Sequence, residues 1–325
     1  MNTTKKMVLA ALICIPTLGT PAMAKELDIV NIPKIGGMPW FNRMGEGVTE
    51  AGQEYKINAY QVGPSSTDAT AQVKIIEDLI AKKVDAITIV PNDAEVLEPV
   101  FQKARSAGIA IVTNESPGQP SANWEVSIID DEKFAQDYLE KVAEFTGGKG
   151  GYVIYVGGLT VPQHNLWADY FVKYQKEKYP DMYEVTSRMP VAENIDDSRR
   201  TTLELMRAHK DLKAVISFGS QGPIGAGRAV QERRAKKNVG VFGMMIPSQA
   251  ASLIRNGNIT MGITYDPATG GYATTKVAAD VINGVDIEPG YTIKNFGAAE
   301  VRKDEKLIKF HKVLFVTKDN IDQLY

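Results

Sequence analysis

Apolar, β-branched runs of strand length alternate with amphipathic helical stretches along almost the whole of this 325-residue chain, and that alternation restricts its fold most. The strand-like runs occupy residues 27–32, 57–62, 86–90, 109–113, 152–156, 183–189, 214–218, 239–242 and 259–264. Between them, Phe41, Met44, Val48 and Ala51 fall on one helical face, and Val73, Ile76 and Ile80, then Val96, Val100 and Ala104, repeat the stripe. Strands separated by helices form parallel sheets covered on both faces. With residues 125–129 as a short extended link, the runs divide more naturally into two sheets of about five strands than into one. Four strand–helix units before about residue 127 and four or more after it fit two similar lobes. The sequence has no low-complexity tract or long flexible linker, so extended crossings, not a disordered tether, join the lobes.

The first 24 residues bear on location. Lys5 and Lys6 precede an apolar run over residues 7–18, and Ala22-Met23-Ala24 stands ahead of Lys25, which is the layout of a secretory signal cleaved after Ala24. A signal anchor is the alternative, but the apolar run is about a dozen residues long, whereas a spanning helix needs about 20. The mature chain is expected in the periplasm. Its loss of two lysines and no acids moves the formal charge from −2 to −4, without the basic excess that nucleic acid or an anionic membrane would require. No later segment reads as membrane-spanning. The single cysteine, Cys14, lies inside the signal, so stability rests on apolar burial and not on disulfides.

In open doubly wound sheets ligands bind beyond the carboxyl ends of the strands. The residues just after the predicted strands include Lys34 to Phe41, Asn114-Glu115-Ser116, residues 157–167 and 190–194, Phe218 to Gln221, and Tyr265-Asp266. They are rich in aromatic rings, amides and carboxylates. Rings cover the C–H faces of a sugar, and charged or amide groups take its hydroxyls.

At these residues the chain resembles the periplasmic sugar-binding proteins of ABC importers, of the ribose-binding type. The resemblance is carried by DIVNIPKIGGMPWFNRMGEGVTEAG, DAITIVPNDAEVLEPVFQKARSAGIAIVTNES, LKAVISFGSQGPIGAGRAV and ITYDPATGG. TVPQHNLW and VLFVTKDNID place it nearest the autoinducer-2 and rhamnose binders. The resemblance implies a type I periplasmic-binding-protein fold, two doubly wound parallel-sheet lobes joined by three hinge crossings. The expected division is 25–127 with 266–292 in the first lobe and 128–265 with 293–325 in the second. It also implies a monomer without cofactor that carries a sugar or polyol to a membrane permease.

Carried over residue by residue, the resemblance points to Lys34, Phe41, Glu115, Gln163, His164, Phe218, Ser220, Tyr265 and Asp266 as ligand-binding positions. Trp40 joins them as a ring stacker, because Phe41 already starts the apolar stripe of its helix. The autoinducer-2 binders carry Asp-Gln where this chain has Gln163-His164, and Pro and Ala where it has Phe218 and Ser220. One anionic acceptor is lost and a bulky ring gained, which favours a different sugar or polyol over autoinducer-2. Each position also has a structural reading: Lys34 as a solvated lysine, Trp40 and Phe41 as core, Glu115 as a turn cap, His164 as a surface residue. Trp167 reads as core or supporting, and Tyr265 and Asp266 as hinge residues with Asp266 opening a helix before Pro267. Asp93 and Asn194 read as caps.

Enzyme signatures are incomplete. Phe218-Gly219-Ser220-Gln221-Gly222 lacks the first glycine of a nucleophile elbow, and Gly147-Gly148-Lys149-Gly150 lacks phosphate-loop spacing. The histidines at 164, 209 and 311 are too scattered for a zinc site. No catalytic set and no metal is expected. A two-lobed transcription regulator would need a helix-turn-helix where this chain has a signal. A binding partner of a periplasmic sensor or chemoreceptor stays open beside the importer reading, as does an autoinducer-2 binder.

Overall fold

The computed structural model describes residues 26–294 and 296–324, so the expected signal, with Cys14 and the cleavage point after Ala24, lies outside the described residues. The chain opens with β1 (Asp28–Ile32), α1 (Pro39–Tyr55), β2 (Asn58–Gln61), α2 (Ala69–Lys82), β3 (Ala86–Ile89), α3 (Ala94–Ser106), β4 (Ala110–Thr113) and β5 (Trp124–Ser127). It continues with α4 (Asp131–Thr146), β6 (Gly150–Tyr155), α5 (Pro162–Lys178), β7 (Met182–Glu184), α6 (Ile195–Ala208), β8 (Leu212–Ser217), α7 (Gly222–Arg233), β9 (Gly240–Met244), α8 (Pro247–Arg255) and β10 (Met261–Thr264). Then come α9 (Pro267–Ile282), a small ladder of β11 (Thr292–Ile293) and β12 (Gly297–Ala298), and β13 (Glu300–Arg302), β14 (Leu307–Lys309) and β15 (Leu314–Val316). None of the described helices is long and apolar enough to cross a membrane.

The strands form two principal sheets, ordered β13-β14-β5-β4-β3-β1-β2 and β15-β10-β9-β8-β6-β7. The parallel part of the first is β2-β1-β3-β4-β5 and that of the second is β7-β6-β8-β9-β10, so one winding order occurs twice. In each lobe the winding reverses direction between the first and third strands, β1/β3 and β6/β8. That is where the chain leaves a crevice above the sheet. Alternation along the strands fills both faces: Val30 and Ile32 pack with Ile76, Leu79 and Phe101 under α2 and α3, while Ile29 packs with Phe41 and Met44 of α1. Burying each such side chain contributes about 1.5–3 kcal/mol. α1 and α9 share the same face at very short range. A β-carbon on Gly47 would lie 1.9 Å from the Ala268 carbonyl oxygen, and one on Gly271 would lie 2.1 Å from that of Met44.

Three expectations are corrected. Residues 125–129 are no mere link, because β5 sits inside the first sheet between β4 and β14. The run 183–189 is a strand only through Glu184; Val185 and Met189 still donate to the β6 carbonyls of Tyr152 and Ile154, but residues 186–188 bulge out at the sheet edge. There Arg188 bonds the Asn165 side chain and pairs with Asp169. The tail 293–325 does not belong wholly to the second lobe. β14 runs parallel to β5, Leu307 opposite Glu125, and β13 pairs with β14, so the free edge of β5 is covered in the first sheet. Only β15, antiparallel to β10, and the final turn Ile321–Gln323 lie with the second. The chain thus passes between lobes at residues 127–131, 264–267 and 309–314, three crossings side by side among the described residues.

Candidate ligand-binding cleft

The loops that top the two winding reversals face each other. Lys34 follows β1, Asn92 follows β3, and Glu115 follows β4; from the second lobe, His164 opens α5 after β6, Glu193 follows β7, and Phe218 to Ser220 follow β8. Two of the helices that start here, α1 and α5, do so on proline, Pro39 and Pro162, after an extended residue and without a side-chain cap. Asp68, Asp93, Asp130 and Asn194 cap α2, α3, α4 and α6 with their side chains. Asp93 and Asn194 are therefore caps, as their sequence positions indicated.

At the centre lies a buried charged group. Lys34 is 1 % exposed and forms an ion pair with the Glu115 carboxylate, and its Nζ lies 3.0 Å from His164 Nε2 across the cleft. Tyr265 donates its hydroxyl to the other Glu115 oxygen at 3.3 Å, and its ring meets Trp40 edge-on, centroids 5.0 Å apart. Glu115 sits at φ 63°, a left-handed conformation that costs a non-glycine residue about 1–3 kcal/mol and is kept where the surroundings impose it. The imposing groups are its neighbours: Asn114 donates to the Val126 carbonyl at 2.7 Å and the Ser116 amide donates to Glu125 at 3.3 Å. A second link between lobes is the hydroxyl of Thr160, which donates to the Asn92 carbonyl at 3.2 Å.

Trp40, Phe41, Trp167, Phe218, Ser220 and Met244 wall the space around these charges. With Lys34 in place the cavity measures only about 20 Å³ to the centre of a water-sized sphere, room for one or two waters. That space is too small for a sugar ring. Burial pushes the His164 imidazole well below its ordinary pKa and the Lys34 charge adds to this, so the ring is neutral. Burial raises the Glu193 carboxyl; Lys34 opposes this, Glu115 reinforces it, and the Ser220 amide opposes it.

The structure brings together Lys34, Trp40, Phe41, Glu115, His164, Phe218 and Ser220, with Tyr265 touching Glu115. It separates two of the expected residues from them. Gln163 donates to Asp131 at 2.6 Å, beside the Trp167 indole N–H at 2.8 Å, and so points away from the cavity. Burial pushes that Asp131 carboxyl up to about 6, with the two donors opposing. Asp266 is exposed, caps α9 through the Ala268 amide, and holds Arg43 with both oxygens. It lines a roomier groove of about 1020 Å³ outside the crossings, with Arg43, Ile246 and His311. That groove is open and its ionic pair is satisfied. The small cavity is the better candidate because it holds buried polar groups from both lobes. Sequence reasoning missed Glu193, whose only signal was its place in the loop 190–194. It gave Trp167 only a supporting or core place, whereas the ring lines the cavity and stacks on His164 at 5.9 Å.

Residues 29–286 match a family model described as "Periplasmic binding protein domain". The ribose import binding protein of Bacillus subtilis is 23% identical over 260 residues, 77% of this chain and 80% of that one. Its counterpart in Salmonella typhimurium is 22% identical over 299 residues, 90% and 97%. Among solved structures, LsrB from Clostridium saccharobutylicum in complex with AI-2 superposes with a TM-score of 0.83 at 20% identity, over 91% of this chain and 98% of that one. A solute-binding protein from Clostridium phytofermentas with bound L-rhamnose gives the same TM-score and identity over 93% and 98%.

Proposed function

Because the chain belongs to the periplasmic binding protein domain family, we propose that it is the solute-binding component of an ABC importer, holding a sugar or sugar-like polyol between its lobes and presenting the closed form to the permease. The observation that carries this reading is the buried contact of Lys34 and Glu115 with His164 across the cleft, walled by aromatic rings, at the winding reversals of both sheets. The ribose relatives agree with a sugar; the AI-2 and L-rhamnose structures share the fold equally and do not choose between those two ligands. The protein binds and releases its ligand without chemistry, as a monomer in the periplasm, after removal of residues 1–24.

Mechanistically, ligand enters between parted lobes and its oxygens take over contacts that Lys34, Glu115 and His164 otherwise make with one another. Rotation about residues 127–131, 264–267 and 309–314 then closes the cleft, and the closed population rises by the ligand's differential affinity for that state. Micromolar binding needs about 8 kcal/mol net, within reach of a few charge-assisted hydrogen bonds of about 1.5–3 kcal/mol each with one ring contact. Two acids beside one lysine disfavour phosphorylated or carboxylated sugars. The test is thermal-shift screening of the mature protein against D-ribose, D-xylose, D-arabinose, L-rhamnose and autoinducer-2, since a ligand bound only by the native state raises the melting point. A shift with one or more neutral sugars supports the reading; no shift with any removes it.

A further inference from the structure

The ring nitrogens of His164 fix the polarity of the second lobe's half of the cleft. The Gly157 backbone N–H donates to His164 Nδ1 at 2.9 Å, so in the neutral ring the proton sits on Nε2. That Nε2–H lies 3.0 Å from Lys34 Nζ, which is itself a donor. Two donors therefore meet across the cleft, an arrangement that one acceptor oxygen between them would convert into two hydrogen bonds. Beside them Glu193 Oε1 is 4.0 Å from Nε2, and Glu193 Oε2 is buried with no hydrogen-bond partner among the described residues. Buried polar atoms are nearly always paired, and an unpaired one carries a cost of about 1–3 kcal/mol. Glu193 lines the cavity, so this unpartnered acceptor lies within reach of a ligand hydroxyl.

We propose that Glu193 is a ligand-contacting and specificity-determining residue: its Oε2 accepts one ligand hydroxyl while Lys34 and His164 Nε2–H share a neighbouring ligand oxygen. This deepens the sugar reading and rests on it. The ligand class is thereby an uncharged polyhydroxyl molecule with an acceptor oxygen next to a hydroxyl that donates. Glu193 supplies the second lobe's carboxyl acceptor, the role that Gln163 does not fill because it is committed to Asp131.

The experiment has two arms. In the first, calorimetry compares the wild-type mature protein with Glu193→Gln against the neutral sugars named above and the monodeoxy derivatives of the best binder. Glu193→Gln is expected to weaken the best sugar at least tenfold, with an unchanged or higher melting point for the protein alone. For the one monodeoxy derivative that lacks the contacted hydroxyl, wild type and variant should agree within twofold. Equal affinities for the parent sugar, or an equal loss on every derivative, overturn the assignment while leaving the sugar reading intact. A wild type that binds none of these sugars overturns both. In the second arm, nitrogen-15 NMR of the ligand-free protein assigns the His164 tautomer, with His164→Gln identifying its signals among the three histidines. An Nε2–H tautomer at neutral pH is expected, and an Nδ1–H tautomer refutes the donor pattern whatever the ligand.

Discussion

Replacing Glu115 by Gln tests whether the buried ion pair governs closure. The change strands the Lys34 ammonium, 1 % exposed, against a His164 nitrogen that is itself a donor. Removing one partner of a buried ion pair costs roughly 3–5 kcal/mol where the remaining charge stays buried. Here the charge has an exit, because parting the lobes lets water reach it without unfolding either sheet. The penalty therefore falls on the closed state. About 3 kcal/mol multiplies the ratio of open to closed molecules by more than a hundred. The one cysteine, Cys14, precedes Lys25, so in the protein expressed from Lys25 onward Ser66→Cys and Leu159→Cys, both exposed and on opposite lobes, give two clean sites for spin labels. Pulsed dipolar spectroscopy should show a longer label-to-label distance in Glu115→Gln than in the Glu115 parent. Lys34→Met combined with Glu115→Leu should return it to the parent value, since apolar substitution of a whole buried pair is often neutral or stabilising. If Glu115→Gln leaves the distances unchanged, or the double variant opens as far as the single one, the pair does not hold the lobes and the reasoning is wrong.

Glu125 gives a pH prediction. Burial pushes its carboxyl up to about 8, with Asp131 and Glu115 adding and the Ser116 amide opposing, so the folded state keeps a proton that the unfolded chain releases near pH 4.5. The stability this proton provides is complete below about pH 4.5 and is lost as pH rises through 8, at most about 5 kcal/mol. Glu125→Gln should therefore gain on the wild type in denaturant melts at pH 9 relative to pH 5; an equal difference at both pH values contradicts the buried-proton account. Gly47→Ala would force a β-carbon to within 1.9 Å of the Ala268 carbonyl oxygen and should cost about 3 kcal/mol or more, lowering the melting point by several degrees. Gly45→Ala meets only the flexible end of Gln61 at 3.2 Å and should be near neutral, so equal effects of the two would show that α1 and α9 are not in close contact.

The sheets were legible because their periodicity is a property of short stretches. Ile29, Val30 and Ile32 announce a strand buried on both faces whatever surrounds them, and Phe41, Met44 and Val48 announce a helix with one apolar side. The tail was not, because β13 and β14 are three residues each, too short to show a period, and their pairing follows from the free edge that β5 offers, a tertiary fact. Likewise, nothing in residues 183–189 shows that the strand lies at a sheet edge, where the polar residues 186–188 can leave the ladder.

The cleft divides along the same line. The family resemblance picks Lys34, Glu115, His164 and Phe218 out of the loops that the rule on strand ends marks. It cannot select a direction for a side chain. Gln163 and His164 are adjacent on the first turn of α5, about 100° apart around the helix, and here only His164 faces the cavity. Which one does depends on Asp131, which offers Gln163 a buried acceptor beside the Trp167 indole. Asp266 is settled by a competing partner in the same way: Arg43 of α1 takes both its oxygens and the start of α9 takes it as a cap. Glu193 is the converse case. It stands one residue before the cap Asn194, in a loop that follows a three-residue strand, and its carboxyl lines the cavity and takes the amide of Ser220. A site built from loop ends is thus readable from sequence as a set of neighbours, while the choice among those neighbours is made by hydrogen-bond partners that lie on other elements.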